Sequence, residues 1–334
     1  MADDFSSQVE RYRNLIDAAL LDIGKNGEPA YLYEPIRYVL SGKGKRLRPS
    51  LVFISADAFG ASENEALPAA MAVEILHNFS LVHDDIMDGD DLRHGKETVH
   101  KHWDDSVAIL AGDGIFSLAY NQLTHLDSAA TECLKVFSKA TLRLCEGQAL
   151  DKDFESHKAV SVDDYLEMVR LKTGTLLSLC CRLGAIVGSA SADQTDQAGR
   201  FGERVGQAFQ IQDDILEIYS SSDNMGKSLG SDVLAGKKTF LTCSAEEENA
   251  SQWSEFRTGL GGGDLSEEIL PALRQYFRDN GIQEAGEERV KHLVNEALLF
   301  LENIPENKRE KFELFVQMVI ERKHLPWTSG SLIR

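Results

Sequence analysis

Five aspartates crowd into eight residues of the stretch "HDDIMDGDD": Asp84, Asp85, Asp88, Asp90 and Asp91. On a helix turning 100° per residue, Asp84 and Asp88 fall within about 40° of each other, one turn apart. Asp85 leaves that stripe and would orient its neighbours or bind through water. The cluster follows the apolar-rich run "MAVEILHNFSLV" and so marks the C-terminal end of a helix, where negative charge opposes the helix dipole. A bound cation offsets that cost; a solvated acidic helix end is the bland alternative. A second stripe argues for the cation. In "FQIQDDILE", Gln210, Asp213, Asp214 and Glu217 recur at i, i+3, i+4 and i+7, while Phe209, Ile211, Ile215 and Leu216 fill the rest of the helix. Two such helices facing each other would line a space with oxygens. Hard oxygen donors select Mg²⁺ or Mn²⁺ over zinc or copper, and magnesium takes few protein ligands, completing its shell with phosphate and water.

Phosphate would need cations as well, and the sequence supplies them. "GKGKRLRP" places Lys43, Lys45, Arg46 and Arg48 within six residues on a glycine-rich backbone, good anion-binding material without the spacing of a Walker loop. Arg93, Lys172 and Thr173 in "RLKTGT", Lys227 in "MGKSLGSD" and Lys237 in "AGKKT" are further candidates. No nucleophile–His–Asp set accompanies them. Carboxylates for metal plus cations for diphosphate point to ionisation or group transfer at a diphosphate ester.

The elements that must carry these groups are helices. All seven prolines lie at positions 29, 35, 49, 68, 271, 305 and 326, so residues 69–270 contain none. That stretch is rich in strong helix formers and lacks hairpin turns flanked by alternation. "VDDYLEMVRLKTGTLLSLCCRLGAIVG" reads as helix with Asp163 or Asp164 as its cap, and "SAEEENASQ" at 244–252 as a solvated loop or helix end. The echo between "HDDIMD" and "QDDILE" suggests two equivalent helices facing a common space. One large domain over 1–334 is expected, with 43% apolar residues ample for its core. A net charge of −19 argues against nucleic acid as the main partner. The five cysteines lack metal spacing and read as free thiols. No signal pattern or membrane span is legible; a soluble cytoplasmic protein is expected. Trp103, Trp253 and Trp327 read as packing residues, and His100 and His102 as surface or loop histidines.

In order and over nearly the whole length, these motifs resemble those of the trans-isoprenyl diphosphate synthases, the polyprenyl synthetase family. "GKGKRLRP" resembles the family's GGKRxRP element, "EILHNFSLVHDDIMD" its first DDxxD motif and "DLRHGKETVH" its RRGxPT segment. "EGQALD" resembles GQxxD, "KTGTLL" the KT element, "FQIQDDILE" the second aspartate-rich motif, and "GKSLGSDVLAGKKT" the lysine-bearing loop after it. The resemblance implies an all-α bundle of roughly a dozen helices around a deep central cavity, usually a homodimer. It implies head-to-tail condensation of isopentenyl diphosphate with an allylic diphosphate, using three Mg²⁺. Carried over, Asp84, Asp88 and Asp213 ligate metal, with Asp85, Asp214 and Glu217 completing the two motifs. Arg93, Lys172, Lys227 and Lys237 grip the allylic diphosphate; Lys45, Arg48 and His77 hold isopentenyl diphosphate, joined by His94. Thr173 and Gln210 line the path of the nascent cation.

This chain departs from the pattern at three places. His94 stands for the second Arg of RRG, which predicts weaker or more pH-dependent binding of isopentenyl diphosphate. Glu217 stands for the last Asp of the second motif, and Glu97 for the Pro before Thr98. Chain length in the family is set four and five residues before the first motif, at Ser80 and Phe79. A helical wheel puts Ser80 in line with Asp84, about 6 Å down the axis, whereas the family pattern makes bulky Phe79 the stop. Small Ser80 with Phe79 resembles geranylgeranyl diphosphate synthases, with farnesyl or longer products as alternatives. Other readings are a non-catalytic prenyltransferase subunit, a terpene cyclase, which normally carries an Asn/Ser/Glu triad at its second site, and an HD-type phosphohydrolase, suggested by His83–Asp84. Arg322 and Lys323 in the basic tail would approach the cavity mouth.

Overall fold

Helix is the rule along the proline-free stretch and on both sides of it. The computed structural model describes residues 2–220, 230–234, 236–259, 269–302, 304 and 306–320. In chain order the helices are α1 (Ala2–Asp22), α2 (Ala30–Leu40), α3 (Leu47–Ala58), α4 (Glu63–Asp88), α5 (Val99–His102), α6 (Asp105–Leu123), α7 (Ala130–Ser156), α8 (Val162–Val169), α9 (Thr175–Val187), α10 (Ala192–Tyr219), α11 (Ser231–Leu234), α12 (Phe240–Gly259), α13 (Ile269–Asp279), α14 (Ile282–Leu299) and α15 (Glu306–Ile320). The all-α expectation is met. The tail with Arg322, Lys323 and Trp327 lies outside the described residues, as does Lys227.

Local chemistry sets where helices begin and end. Ser62 opens α4 and Ser191 opens α10 with reciprocal capping boxes to Glu65 and Gln194. The cap of α8 is Ser161, not Asp163 or Asp164: its Oγ accepts from the Asp164 amide at 3.0 Å. Asp164 sits one turn in, where its charge suits the helix start. Residues 244–252 belong to α12, which kinks at Asn249 (φ −159°, ψ 88°) rather than ending there; the Asn249 side chain accepts from the Gln252 amide at 3.1 Å, restarting the helix like an N-cap.

Among the described residues one short strand pair interrupts the helices of this all-α fold. Leu92–Arg93 (β1) and Lys96–Glu97 (β2) form a two-residue hairpin. Its turn is His94–Gly95, with φ of 51° and 76°, the left-handed conformation that a two-residue hairpin turn requires at both positions. Each strand is only two residues long, too short to show the alternation by which a strand is legible in sequence.

Two apolar clusters hold the helices together. One gathers α1, α3, α4, α6, α9 and α15 with the first half of α10; the other gathers α8, α12, α13 and α14 with its second half. Helix α10 therefore spans both, through Ala198, Phe201 and Val205 on one side and Ala208, Ile211, Ile215 and Ile218 on the other. α4 is buried almost continuously from Ala69 to Leu76, which fixes its axis and thereby the direction of Asp84 and Asp88. Cys180 and Cys181 are buried free thiols and Trp253 packs in the second cluster.

Candidate active site

The first acidic cluster ends α4, whose chain leaves through Gly89 at φ 68°, a residue suited to that left-handed exit. Burial pushes the Asp84 carboxyl up to about 6, opposed by Lys172 and Arg93 and reinforced by Asp88 and Asp151. Asp85 is buried and turned to Arg93, whose Nε donates to it at 2.8 Å and whose Nη2 makes a second, shorter contact. Burial outweighs this partner and leaves the Asp85 carboxyl above its usual range. Asp90 is 3.2 Å from the same guanidinium. The hairpin that carries Arg93 thus folds it back onto the cluster, while His94 at its tip is exposed.

Asp88 has cations on both oxygens. Lys152 Nζ lies 3.3 Å from Oδ1 and Lys237 Nζ 3.5 Å from Oδ2. Burial alone would raise this carboxyl, but Lys237, Lys152 and Lys172 together hold it below its usual range. Lys237 also approaches Asp232 at 3.7 Å, and the Asp232 amide donates to Glu217 Oε1 at 2.9 Å. A chain of contacts therefore runs from the first acidic motif, Asp88, through the loop after α10 to Glu217 of the second.

The second motif is anchored as much as displayed. Asp214 is buried and accepts from Tyr165 Oη at 2.5 Å, the Phe240 amide at 2.8 Å and Gln210 Nε2 at 3.1 Å. Burial nevertheless pushes its carboxyl up to about 7. Asp213, half-buried, lies on the same helix one residue away. Thr173 Oγ1 donates to Gln210 Oε1 at 3.1 Å, which joins α10 to the five-residue π turn Arg170–Gly174 between α8 and α9. A π turn is a common device for re-aiming side chains at functional sites; here it presents Lys172, whose Nζ meets Asp151 of α7 at 2.5 Å. A Cβ on Gly147 would stand 2.4 Å from the Lys172 backbone nitrogen, so only glycine lets α7 come this close.

The basic "GKGKRLRP" run separates into different tasks. Arg46 is buried, takes φ 49° at the start of α3, and pairs with Asp17 at 2.7 Å and Glu74 at 2.6 Å; it braces helices rather than facing solvent anions. Lys45 is exposed. Arg48 Nη1 donates to His77 Nε2 at 3.1 Å. Burial, then the charges of Arg48, Arg46 and Arg93, drive the His77 pKa well down, so the ring is neutral and accepts. Phe79 packs between His83 and Phe116, with ring centroids 4.7 and 5.0 Å away, and Phe116 continues through Tyr120 to Phe137. Ser80 spends its hydroxyl on the His77 carbonyl at 2.8 Å.

Asp84, Asp85, Asp88, Arg93, Lys172 and Lys237 are thus brought into one neighbourhood, and Thr173, Gln210, Asp214 and Glu217 into an adjoining one. Asp151, Lys152, Tyr165 and Asp232 were not singled out from sequence. Asp151 lies within "EGQALD" and was within reach of a motif argument; Lys152 and Tyr165 carry no local signal. Every candidate metal donor is a carboxylate oxygen. Among the described residues no three His, Cys, Asp or Glu side chains converge tightly enough to hold a metal unaided.

The model of the polyprenyl synthetase family matches residues 29–276. The chain is 39% identical over 244 residues to the geranylgeranyl diphosphate synthase of Methanosarcina mazei, covering 72% of this chain and 75% of that one. It is 32% identical over 343 residues to the geranylfarnesyl diphosphate synthase of Natronomonas pharaonis, covering 97% and 99%. The crystal structure of the geranylgeranyl pyrophosphate synthetase of Pyrococcus horikoshii superposes with a TM-score of 0.88 at 33% identity, covering 96% and 99%. The chain belongs to the polyprenyl synthetase family and is a short-chain isoprenyl diphosphate synthase, a prenyltransferase.

Proposed function

We propose that the enzyme joins isopentenyl diphosphate head to tail to an allylic diphosphate, releases diphosphate, and makes mainly the twenty-carbon geranylgeranyl diphosphate. The observation that carries this reading is the path Asp88–Lys237–Asp232–Glu217, which couples both acidic helices to a phosphate-competent lysine. The family typically uses Mg²⁺. Asp84, Asp88 and Asp213 would hold the ions against the diphosphate oxygens, with Asp85, Asp214 and Glu217 steadied behind them by Arg93, Tyr165 and the Asp232 amide. When bound, the ions draw negative charge from the departing diphosphate; three ions suit a diphosphate and two carboxylate helices, and Mn²⁺ suits the same oxygens.

The remaining work falls to side chains. Arg93, Lys172, Lys227 and Lys237 grip the allylic diphosphate, neutralising the charge that grows as its carbon–oxygen bond breaks. Lys45, Arg48, His77 and His94 orient isopentenyl diphosphate, whose double bond attacks the allylic carbon; loss of a proton then restores the alkene. Thr173 and Gln210, already paired, offer oxygen dipoles to the cationic carbon. Phe79, backed by Phe116, stops the growing chain in a central cavity. The chain acts as one domain and as a homodimer, with no nucleic acid partner and no membrane span; no helix among the described residues is long and apolar enough to cross a membrane.

The test is to incubate the purified protein with Mg²⁺, labelled isopentenyl diphosphate and, separately, dimethylallyl, geranyl and farnesyl diphosphates, then dephosphorylate and size the alcohols. A dominant twenty-carbon alcohol supports the whole reading. The relative named a geranylfarnesyl diphosphate synthase favours a second reading, a longer product, which the same assay detects. Absence of elongation with every starter would point to a subunit that needs a partner.

A further inference from the structure

Lys152 has no place in the substrate-binding set above, yet all three of its ammonium hydrogens have acceptors. Its Nζ lies 3.3 Å from Asp88 Oδ1, 3.3 Å from the Met87 carbonyl and 2.7 Å from Glu155 Oε1. The side chains of Asp88 and Lys152 are 16% and 31% exposed, so the pair is better shielded than a free surface ion pair and keeps more of its Coulomb attraction. Glu155 stands one turn along α7 from Lys152 and is more open to solvent, at 42%. The lysine therefore has two seats, an inner one on Asp88 and an outer one on Glu155. A divalent cation arriving at Asp88 would place two positive centres within a few ångströms of each other, and the lysine has the stem length and the partner to give way.

We propose that Lys152 is a built-in counter-ion at Asp88 which the catalytic divalent cation must displace, with Glu155 as the seat that receives it. The inference rests on the reading of Asp88 as a magnesium ligand. It assigns Lys152 and Glu155 a positioning role: they set how much metal the enzyme needs without touching substrate. The lysine holds the end of α4 in shape until the ion replaces it, and the cost of separating the pair lowers metal affinity. Glu155 reduces that cost by keeping the displaced ammonium paired.

The two residues predict opposite effects. Bound Mn²⁺ is counted by electron paramagnetic resonance across a concentration series, with inorganic diphosphate held at one fixed level to complete the ion's shell. Lys152→Gln should tighten the Mn²⁺ Kd by about fivefold, the size expected for a partly shielded ion pair. Glu155→Gln should weaken it, because the lysine then leans wholly on Asp88. In the double variant the Glu155 effect should vanish and the Kd should match Lys152→Gln alone. A Lys152→Gln Kd within about twofold of the unaltered chain, where a surface pair of no consequence would leave it, overturns the inference. So does a Glu155→Gln effect equal in both backgrounds, which marks a general charge effect. Asp88→Asn separates the two levels: if it leaves Mn²⁺ binding intact, the metal reading of Asp88 itself fails.

Discussion

Tyr165 donates its phenol hydrogen to Asp214 across 2.5 Å, from α8 to the acidic stripe of α10. The bond fixes a carboxylate of the second motif to the helix that leads into the π turn, so α8 and α10 share one buried joint. Tyr165→Phe removes a donor from a buried carboxyl and should cost about 1–3 kcal/mol of unfolding free energy, measured by urea denaturation. An unchanged midpoint would show that the remaining two donors suffice.

The same carboxyl makes stability depend on pH. Asp214 rises from 3.8 to about 7 on folding, because burial disfavours its charge. Between those values the folded chain keeps a proton that the unfolded chain has lost, so stability falls as pH rises. The contribution is fully present below about pH 4, erodes up to about pH 7 and is gone above it. Denaturation series with a chelator present should show this slope in the unaltered protein and a shallower one in Asp214→Asn. Equal slopes would remove Asp214 from the account.

At Gly147, α7 packs directly against the backbone of the π turn. Gly147→Ala sets a methyl 2.4 Å from the Lys172 nitrogen, against backbone that cannot swing aside. The expected cost is about 1–3 kcal/mol of stability from overpacking, with a fall in kcat as Lys172 and Thr173 are displaced. Intact melting and kinetics together would mean that the turn absorbs the methyl elsewhere.

His77 accepts from Arg48 and is held neutral by burial and by the arginines around it. His77→Ala should raise KM for isopentenyl diphosphate by about tenfold, the worth of one hydrogen bond to a charged group, with less effect on the allylic substrate. Because its pKa is depressed from 6.5, His77 should add no ionisation step to the rate above that pH. His94 is exposed on its hairpin turn, and His94→Arg, which adds a permanent charge, should lower the same KM. Identical shifts for both substrates would contradict the assignment.

Phe79 is wedged between His83 and Phe116, and Ser80 is occupied by the His77 carbonyl. Phe79→Ala should lengthen the product by one or more isoprene units, read by sizing the dephosphorylated alcohols, whereas Ser80→Ala should change it little. An unchanged distribution after Phe79→Ala would dismiss this ring as the stop.

Much of the enzyme was written in local pattern. Absence of proline between 69 and 270, helical spacing of apolar residues and serine caps determine the helices by short-range forces that act within a turn or two. The carboxylate stripes at 84–88 and 210–217 are legible for the same reason, since a 100° step places them without knowledge of any neighbour. What only the tertiary structure decided are the relations between residues far apart in the chain. It turned Arg46 from an anion binder into a buried brace on Asp17 and Glu74, and it brought Lys152 onto Asp88 and Tyr165 onto Asp214. It also replaced an even helix at 170–174 by a π turn. None of these has a local signature, because each depends on which buried charge finds a partner when the helices close.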